Sequence, residues 1–161
     1  MTVFLKTKRM YNDVILPKYA NYGDACMDLR AYLPKDTEEG STTYGEQLSK
    51  IIIPPNGKAA VGTGLKFSFS DKYYMSIKPR GSMGIKKGLM LQNTEGVLDS
   101  NYRGECILFL KNLSDEPVVI EHNETIAQFC LIPVPTMVIE EVNELDETSR
   151  GEGRVGSSGN F

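Results

Sequence analysis

The sequence predicts an all-β fold, a sandwich or a barrel built from short strands. Apolar runs of strand length alternate with turn signals along the chain, and long helical periodicity is almost absent. The 8 prolines fall at or near the ends of these runs, where strand edges and corners tolerate them. With 161 residues, the chain is long enough for one domain with a buried core.

The predicted strands follow one another from the N-terminus to residue 142. They are the runs VFLKTK, DVILP, KIIIPPNGKAAVGTGLKFSFS, KYYMSIK, ECILFLKN, PVVIEHNETIAQFCLIP and TMVIEEV. Asp36 to Ser49 is polar and poor in strand-forming residues, which predicts a surface insertion. From Asn143 the chain becomes acidic and then glycine-rich, as flexible termini are. We therefore expect a β domain over 1–142 and a C-terminal arm over 143–161.

Composition excludes several classes of protein. There are 18 basic and 21 acidic residues, a net charge of -3, which argues against a protein that coats nucleic acid. Cys26, Cys106 and Cys130 lack the close paired spacing of a zinc site and are expected to be reduced core thiols. No apolar run approaches ~20 residues and the N-terminus lacks a signal-peptide pattern, so we expect a soluble cytoplasmic protein without a membrane partner.

Two neighbouring motifs between Pro79 and Glu105 indicate phosphate chemistry. The basic, glycine-punctuated turn PRGSMG follows the strand run YYMSIK, and the turn GVLDSNYRGE precedes the strand run CILFLKN. The first offers a cation and unobstructed backbone amides to an oxyanion, and the second offers a carboxylate that can act as a base. Together they predict hydrolysis of a phosphorylated compound, on a site that is not a Walker loop.

Asp99, within the second turn, is the candidate general base. A carboxylate near phosphates can accept a proton from water and direct the nucleophile at phosphorus, but an Asp here can also be a simple turn former. Tyr102 offers a ring to pack against a sugar, or is a half-buried turn aromatic. His122, the only histidine, is expected to be a solvated loop residue, which leaves little basis for a histidine-dependent triad.

The glycine-rich C-terminus has two readings. Arg150 supplies a positive charge, the glycines leave backbone amides open, and Ser157 and Ser158 add hydroxyl donors, so the segment could close over a polyphosphate. By composition alone it is a flexible tail. The turn at Arg80, Gly81 and Ser82 has the same combination of arginine, glycine and serine, which favours a role in phosphate binding.

The motifs together resemble those of the trimeric dUTPases, the dUTP diphosphatases. Five segments occur in the order and approximate spacing of that family's five motifs. They are YGDACMDLRAY, PRGSMGIKKGL, NTEGVLDSNYRGE, ETIAQFCLIP and RGEGRVGSSG. The match covers most of the chain from Tyr22 to its end, and five motifs in order make coincidence improbable.

The resemblance implies a jelly-roll-like subunit in a homotrimer, with three active sites at subunit interfaces and the arm of one chain closing a site formed by others. Asp99 would orient and deprotonate the water that attacks the α-phosphorus of dUTP, releasing dUMP and pyrophosphate. Arg80, Gln128 and Arg150 would bind the phosphate chain. Mg²⁺ would be chelated by the triphosphate, with Asp28 holding metal-bound waters instead of ligating the metal.

The resemblance also assigns the base and sugar pocket to the hairpin from Asn93 to Ile107. Uracil would be recognised by the Asn93 side chain and by backbone groups, and Tyr102 would pack beneath the deoxyribose. The narrow hairpin would exclude the thymine methyl, and Tyr102 would exclude a ribose 2′-hydroxyl. The backbone groups are those around Gly96, Val97, Leu98 and Ile107. The remaining expected substrate contacts are Gly81, Ser82, Val155, Gly156, Ser157 and Ser158.

The chain departs from the family pattern in three motifs. The family usually reads PRSG where this chain reads PRGS, so the expected hydroxyl moves from position 81 to Ser82. The arm usually carries an aromatic residue that stacks on uracil, and Val155 occupies that position, although Phe161 could substitute. Cys26 stands where glycine is common.

Two alternatives stay open on sequence. A dCTP deaminase shares the fold and a similar phosphate turn, but it lacks the pair GVLDSNYRGE and RGEGRVGSSG. A jelly-roll module that only binds a protein partner is disfavoured by the joint presence of Arg80, Asp99, Gln128 and Arg150. A regulatory protein partner alongside catalysis stays open, and a viral origin would place the enzyme in the host cytoplasm.

Overall fold

The structure, a computed structural model, describes residues 2–36 and 45–154, and within them it contains eleven strands and one short helix. The all-β prediction is confirmed. The strands are β1 (Lys6–Arg9), β2 (Met27–Arg30), β3 (Lys50–Ile53), β4 (Lys58–Gly62), β5 (Leu65–Ser68), β6 (Tyr73–Pro79), β7 (Leu89–Leu91), β8 (Gly96–Leu98), β9 (Ile107–Asn112), β10 (Val118–Glu121) and β11 (Thr125–Pro133). The helix is α1 (Gly81–Lys87).

All strand pairs are antiparallel and form four small sheets. The largest has the order β2-β11-β6-β8, and a three-stranded sheet has the order β4-β9-β7. Two further pairs join β1 to β5 and β10 to β3. Because neighbours in these sheets are distant in sequence, the chain brings its motifs together through long-range pairing instead of through consecutive hairpins.

The four-stranded sheet has one apolar and one polar face. On the apolar face lie Leu29, Met75 and Phe129, which are all buried in the core. Asp28 is opposite Gln128 in the register, and Gln128 is opposite Lys78, so these three side chains occupy the other face. A one-residue change of register would exchange the two faces, and burial of the apolar set therefore fixes where the polar side chains lie.

A single core of aliphatic and aromatic side chains joins the sheets. Each large aliphatic side chain contributes about 1.5–3 kcal/mol when it is fully buried. The largest fully buried apolar side chains are Leu29, Leu33, Ile53, Val61, Leu65, Met75, Leu89, Leu108, Leu110, Ile120 and Ile126. They come from both halves of the chain, as expected for one domain.

Two predicted strands are not strands. The run DVILP and the run TMVIEEV form no strand. Met137, Val138 and Ile139 in the second run are 83%, 90% and 95% exposed. Pro133 and Pro135 precede that run and lack the backbone N–H that a sheet ladder needs, which explains why β11 ends there. Apolar strand-forming composition alone does not make a strand when no partner edge is available.

The basic turn after Pro79 is a helix of seven residues instead of a simple turn. Arg80 precedes it in an extended conformation, and its carbonyl accepts hydrogen bonds from the backbone N–H groups of Met83 and Gly84 at 3.0 and 3.3 Å. Lys86 and Lys87 lie in the last turn, where cations stabilise the carbonyl end of a helix. The helix ends at Gly88, whose φ of 62° suits glycine.

The polar segment from Asp36 to Ser49 is described only at its ends. Residues 37–44 lie outside the described part of the chain. Lys35 forms a β-bridge with Gln47, and the Asp36 N–H donates to the Glu46 carbonyl at 2.8 Å, so the two ends meet. Separately, no helix in the described ranges is long and apolar enough to cross a membrane.

Candidate active site

Arg80 is the centre of a group that we call the arginine cluster, defined as Asp28, Arg80, Ser82 and Gln128. The Arg80 Nε donates to the Asp28 Oδ1 at 3.1 Å, and an Arg80 Nη donates to the Ser82 Oγ at 3.4 Å. Gln128 donates from its Nε2 to the Pro79 carbonyl at 3.1 Å, which ties β11 to the start of α1. Four predicted residues are therefore brought together.

The arginine cluster has capacity left for an anion. The Arg80 and Asp28 side chains are 35% and 23% exposed, so the ion pair is reachable from solvent. A guanidinium has five N–H donors, and the contacts with Asp28 and Ser82 use two of them. Nothing lies within 4 Å of the position that a Cβ on Gly81 would take, so the backbone there is also accessible.

A second group lines a cleft of about 220 Å³, which we call the hairpin cleft. Seven residues predicted to bind substrate line it. They are Asn93, Gly96, Val97, Leu98, Asp99, Tyr102 and Ile107. Three further lining residues, Ile77, Glu105 and Phe109, were not predicted. The hairpin from Asn93 to Ile107 thus forms a concave site within one chain.

Close packing against β6 sets the floor of the hairpin cleft. Gly96 is opposite Ile77 in the register of β8 and β6. A Cβ on Gly96 would lie 3.1 Å from the Ile77 Cβ, so a larger residue there would push the strands apart. Before β8, Thr94 has a φ of 57° and its N–H donates to the Leu91 carbonyl at 3.1 Å, which makes the turn tight.

Asp99 lies at the end of β8, and its carboxylate is not used to make the turn. The turn is closed by the backbone, since the Tyr102 N–H donates to the Asp99 carbonyl at 3.1 Å. The Asp99 side chain is exposed at the cleft, and within residues 2–36 and 45–154 it makes no hydrogen bond or ion pair. The Asp99 side chain is therefore not needed to form the turn.

Tyr102 is held against the wall of the cleft by its own turn. Its hydroxyl donates to the Glu105 carbonyl at 3.1 Å. A Cβ on Gly104 would lie 2.5 Å from the Tyr102 Cζ, so the ring occupies the space that a side chain at 104 would need. The 44% exposed ring leaves a face available to a ligand.

Glu95 lies between the cleft residues Asn93 and Gly96 in the chain and is bound to side chains of β6. Its Oε1 accepts hydrogen bonds from the Ser76 hydroxyl, from the Lys78 Nζ at 3.2 Å and from the Tyr74 hydroxyl at 3.5 Å. The bond from Ser76 and then that from Lys78 lower the pKa of Glu95, and the bond to Glu95 raises the pKa of Lys78. The alternation of Tyr74, Ser76 and Lys78 along β6 was the available signal for this polar face.

Glu105 holds the other end of the hairpin. Its Oε1 accepts a hydrogen bond from the Gly64 N–H at 2.7 Å, and a Cβ on Gly62 would contact the same oxygen. The carboxylate thus packs against a glycine-lined stretch of backbone that the sequence analysis did not connect with the hairpin. The sequence Gly62-Thr63-Gly64 could have indicated this contact, because the two glycines have no side chains and leave space for a neighbouring carboxylate.

The arginine cluster and the hairpin cleft are separate within one chain. Gln128 and Lys78 share the polar face of the sheet, whereas Ile77, which lines the cleft, is on the opposite face. No hydrogen bond or ion pair among the described residues joins the two groups. Arg150 is in neither: its Nε donates to the Gly153 carbonyl at 3.1 Å within the arm. Val155, Gly156, Ser157 and Ser158 lie outside the described residues.

Asp28 is the one residue that the family resemblance associates with a metal, and it lies in an ion pair with Arg80. The described part of the chain contains no group of three or more His, Cys, Asp or Glu side chains that could hold a metal ion. Asp28, paired with Arg80, is a single carboxylate that can accept hydrogen bonds from metal-bound waters but cannot enclose a cation.

His122 has a structural role, so its prediction as a solvated residue was wrong in part. It lies in the loop before β11 and is half-buried. Its Nδ1 accepts a hydrogen bond from the Leu33 N–H at 3.2 Å, and its ring packs edge-on against Tyr32 at 5.0 Å between centroids. It touches neither the arginine cluster nor the hairpin cleft.

The chain matches the family model described as dUTPase over residues 46–159. It is 40% identical to the deoxyuridine 5'-triphosphate nucleotidohydrolase of Fusobacterium nucleatum subsp. nucleatum, covering 91% of this chain and 90% of that protein. The enzyme of the same name from Dinoroseobacter shibae is 38% identical, with 89% and 87% covered.

Solved structures share the fold. A variant of the Staphylococcus bacteriophage 80alpha dUTPase with dUpNHpp has a TM-score of 0.80 at 21% identity, covering 98% of this chain and 99% of that one. A variant of the phage phi11 dUTPase, described as coordinating a structural Mg(II) ion, has a TM-score of 0.74 at 16% identity, with 89% and 99% covered. The jelly-roll-like subunit is thereby confirmed. The chain belongs to the dUTPase family.

Proposed function

We propose that this chain hydrolyses dUTP to dUMP and pyrophosphate, with Asp99 as the base that activates water. Membership of the dUTPase family establishes the class of reaction. The observation that carries the assignment of the base is the position of Asp99, exposed at the hairpin cleft with a carboxylate that forms no hydrogen bond or ion pair in the described residues. A carboxylate in this state can accept a proton from water.

The hairpin cleft supplies the specificity for uracil and deoxyribose. The Asn93 amide can form hydrogen bonds with the polar edge of the base, and backbone groups between Gly96 and Leu98 form the remaining hydrogen bonds to that edge. The tight approach of Gly96 to Ile77 leaves little freedom to widen the cleft, so the thymine methyl is excluded by contact. The Tyr102 ring packs beneath the sugar and leaves no room for a 2′-hydroxyl.

The arginine cluster binds the phosphate chain. Arg80 offers its remaining guanidinium donors, Gln128 orients the turn through the Pro79 carbonyl, and Ser82 lies beside the guanidinium. Arg150 supplies a second charge from the arm. Positive groups near the phosphorus lower the activation barrier when they stabilise the transition state more than the bound substrate.

Mg²⁺ held by the triphosphate would neutralise part of its charge. Asp28, which lies on the edge strand β2 and pairs with Arg80, would accept hydrogen bonds from waters of such an ion. In this arrangement the protein orients the hydrated metal–nucleotide complex without ligating the metal.

A homotrimer brings the separated groups together. The arginine cluster, the hairpin cleft and Arg150 are apart in one chain. In a trimer, the cleft of one subunit would meet the arginine cluster and Arg150 of other subunits. Residues 1–142 form the β domain and residues 143–161 the arm that closes a neighbour's site. Within that arm Val155, Gly156, Ser157 and Ser158 would contact the nucleotide.

The test is a product analysis with purified protein. In separate reactions that all contain Mg²⁺, the protein is incubated with dUTP, dCTP, dTTP or UTP. Pyrophosphate and ammonia are measured in each reaction. We expect pyrophosphate from dUTP and far slower turnover of the others. Ammonia release from dCTP would identify a deaminase, and equal specificity constants for dUTP and dTTP would contradict the proposed cleft.

A further inference from the structure

Two cysteines face each other across the pair of strands that carries Asp28 and Gln128. The register pairs Asp28 with Gln128 and Met27 with Phe129 in an antiparallel ladder. Cys26 immediately precedes β2, and Cys130 follows Phe129 in β11, so continuing this register by one residue brings Cys26 opposite Cys130. Because side chains alternate, Cys26 and Cys130 lie on the same face as Asp28 and Gln128.

The two thiols are neighbours and are not sealed in the core. Both residues are half-buried, and partial burial and then the adjacent Cys130 thiol raise the pKa of Cys26. Directly opposite residues in an antiparallel pair have Cα atoms about 4.5–5.5 Å apart, which is inside the range of about 4.4–6.8 Å that a disulfide spans. Residues that continue this register are therefore within the reach of a disulfide.

Cys106 provides the contrast. It is fully buried, its relative exposure is 0%, and burial raises the pKa of its thiol to about 12. The Thr63 hydroxyl donates to the Cys106 carbonyl at 2.8 Å, deep in the core. One chain therefore contains an adjacent pair of reachable thiols and a third thiol that oxidants cannot reach.

We propose that Cys26 and Cys130 form a redox-modifiable dithiol that low-molecular-weight disulfides oxidise to an internal disulfide. The thiolate of one cysteine attacks the small disulfide, which forms a mixed disulfide and releases one small thiol. The thiolate of the second cysteine then attacks the protein sulfur, which closes the Cys26–Cys130 bond and releases the second small thiol. The protein loses two electrons and two protons, and the small disulfide takes up both.

The disulfide would link the start of β2 to β11, two residues along each chain segment from Asp28 and Gln128. Because it closes a long loop of chain, it restricts the unfolded state, and engineered or natural links of this kind stabilise proteins. We expect oxidised protein to unfold at a higher temperature than reduced protein, by roughly 5 °C.

Peptide mapping of the native, full-length protein tests the proposal. The protein is incubated with oxidised glutathione, its remaining thiols are alkylated, and it is digested with trypsin without a reductant. Trypsin places the three cysteines on different peptides, which are residues 19–30, 104–111 and 112–150. We expect 19–30 joined to 112–150, with 104–111 alkylated, and we expect dithiothreitol to reverse the link.

Every other map overturns the proposal. Lasting glutathione adducts on Cys26 or Cys130 would show that the second step does not occur. Alkylation of both peptides would show that the pair is not reactive. A link between two identical peptides, or to 104–111, would show a different partner.

Three serine variants separate the pair from general effects of oxidation. Cys26→Ser and Cys130→Ser should each lose the thermal shift, whereas Cys106→Ser should keep it. An undiminished shift in either of the first two variants would overturn the proposal. If Cys106→Ser does not fold, the map of the unaltered protein still decides.

Discussion

The hairpin cleft and the arginine cluster are built in different ways. The cleft is contiguous: apart from Ile77, the residues that line it fall between Asn93 and Phe109, and backbone bonds within the hairpin set its shape. The cluster is assembled from β2, β11 and the start of α1, and side-chain contacts between Asp28, Arg80 and Ser82 hold it.

The difference separates recognition from chemistry. A single chain already forms the cleft that we propose for the base and the sugar, with Asp99 among the residues that line it. The groups suited to the phosphates, Arg80 and Arg150, lie elsewhere and contact neither the cleft nor each other in the described residues. The proposed function therefore implies that one subunit binds the nucleoside and that hydrolysis uses groups from further copies of the chain.

The largest effect is expected from Asp99→Asn, which removes the base and keeps the shape. The amide cannot accept the proton of the water, so turnover should fall about 10²-fold or more. Binding of a non-hydrolysable dUTP analogue, measured by calorimetry, should be largely retained. Asp115→Asn, an exposed change in the loop after β9, is the matched control and should keep full activity. Near-normal turnover of Asp99→Asn would remove Asp99 from the mechanism.

A chain that ends at Ser149 tests the arm. It lacks Arg150 and everything after it, so charge stabilisation of the phosphates falls while the β domain stays intact. We expect kcat to fall by about 10²-fold, the scale of losing one donor that stabilises the developing charge, with little change in the unfolding temperature. Steady-state kinetics and thermal unfolding measure the two quantities. A large loss of stability would instead make the arm a structural element.

Gly104→Ala should damage recognition without touching the chemistry. The new Cβ would lie 2.5 Å from the Tyr102 Cζ, so the ring must leave its place beneath the sugar. We expect KM for dUTP to rise roughly three- to tenfold, the equivalent of about 1 kcal/mol of an aromatic contact, with kcat nearly unchanged. Gly84→Ala is the control, since its Cβ would meet only the Met90 sulfur at 3.7 Å. An unchanged KM would mean that Tyr102 does not hold the sugar.

The smallest effect concerns Glu95, whose lowered pKa makes stability depend on pH. A carboxyl whose pKa is lower in the folded state contributes stability above its usual value of 4.5, and this contribution is lost as the pH falls through the folded value. Thermal unfolding of the protein and of Glu95→Gln should differ at neutral pH and converge below 4.5. Glu140→Gln, an exposed change, should follow the unaltered protein. Parallel curves for Glu95→Gln would contradict this role.

The sequence predicted the contiguous site better than the dispersed one. The hairpin residues are neighbours in the chain, so the motif and the cleft coincide. Ile77 and Glu105 were missed because their contacts depend on strand pairing and on the path of the Gly62 backbone. The contact of Arg80 with Asp28 spans 52 positions, and only the folded register brings the two together.

Local composition predicts secondary structure poorly where strand pairing or helix capping decides it. The run TMVIEEV has the residues of a strand but no edge to pair with in the described chain, and it is exposed. Conversely, the segment after Arg80 contains two glycines yet forms a helix, because its backbone bonds to Arg80 and its basic last turn favour one. In the first case the lack of a pairing strand overrides the strand propensity, and in the second the capping interactions override the low helix propensity of glycine.

Complementation between two inactive chains tests most directly whether sites are shared. Asp99→Asn supplies an intact arm, and the chain that ends at Ser149 supplies an intact base. When equal amounts are unfolded and reassembled together, random trimers in which base and arm come from different subunits should recover about a quarter of full activity. If both groups come from the same subunit, verified mixed trimers will stay inactive, and that result would contradict the account.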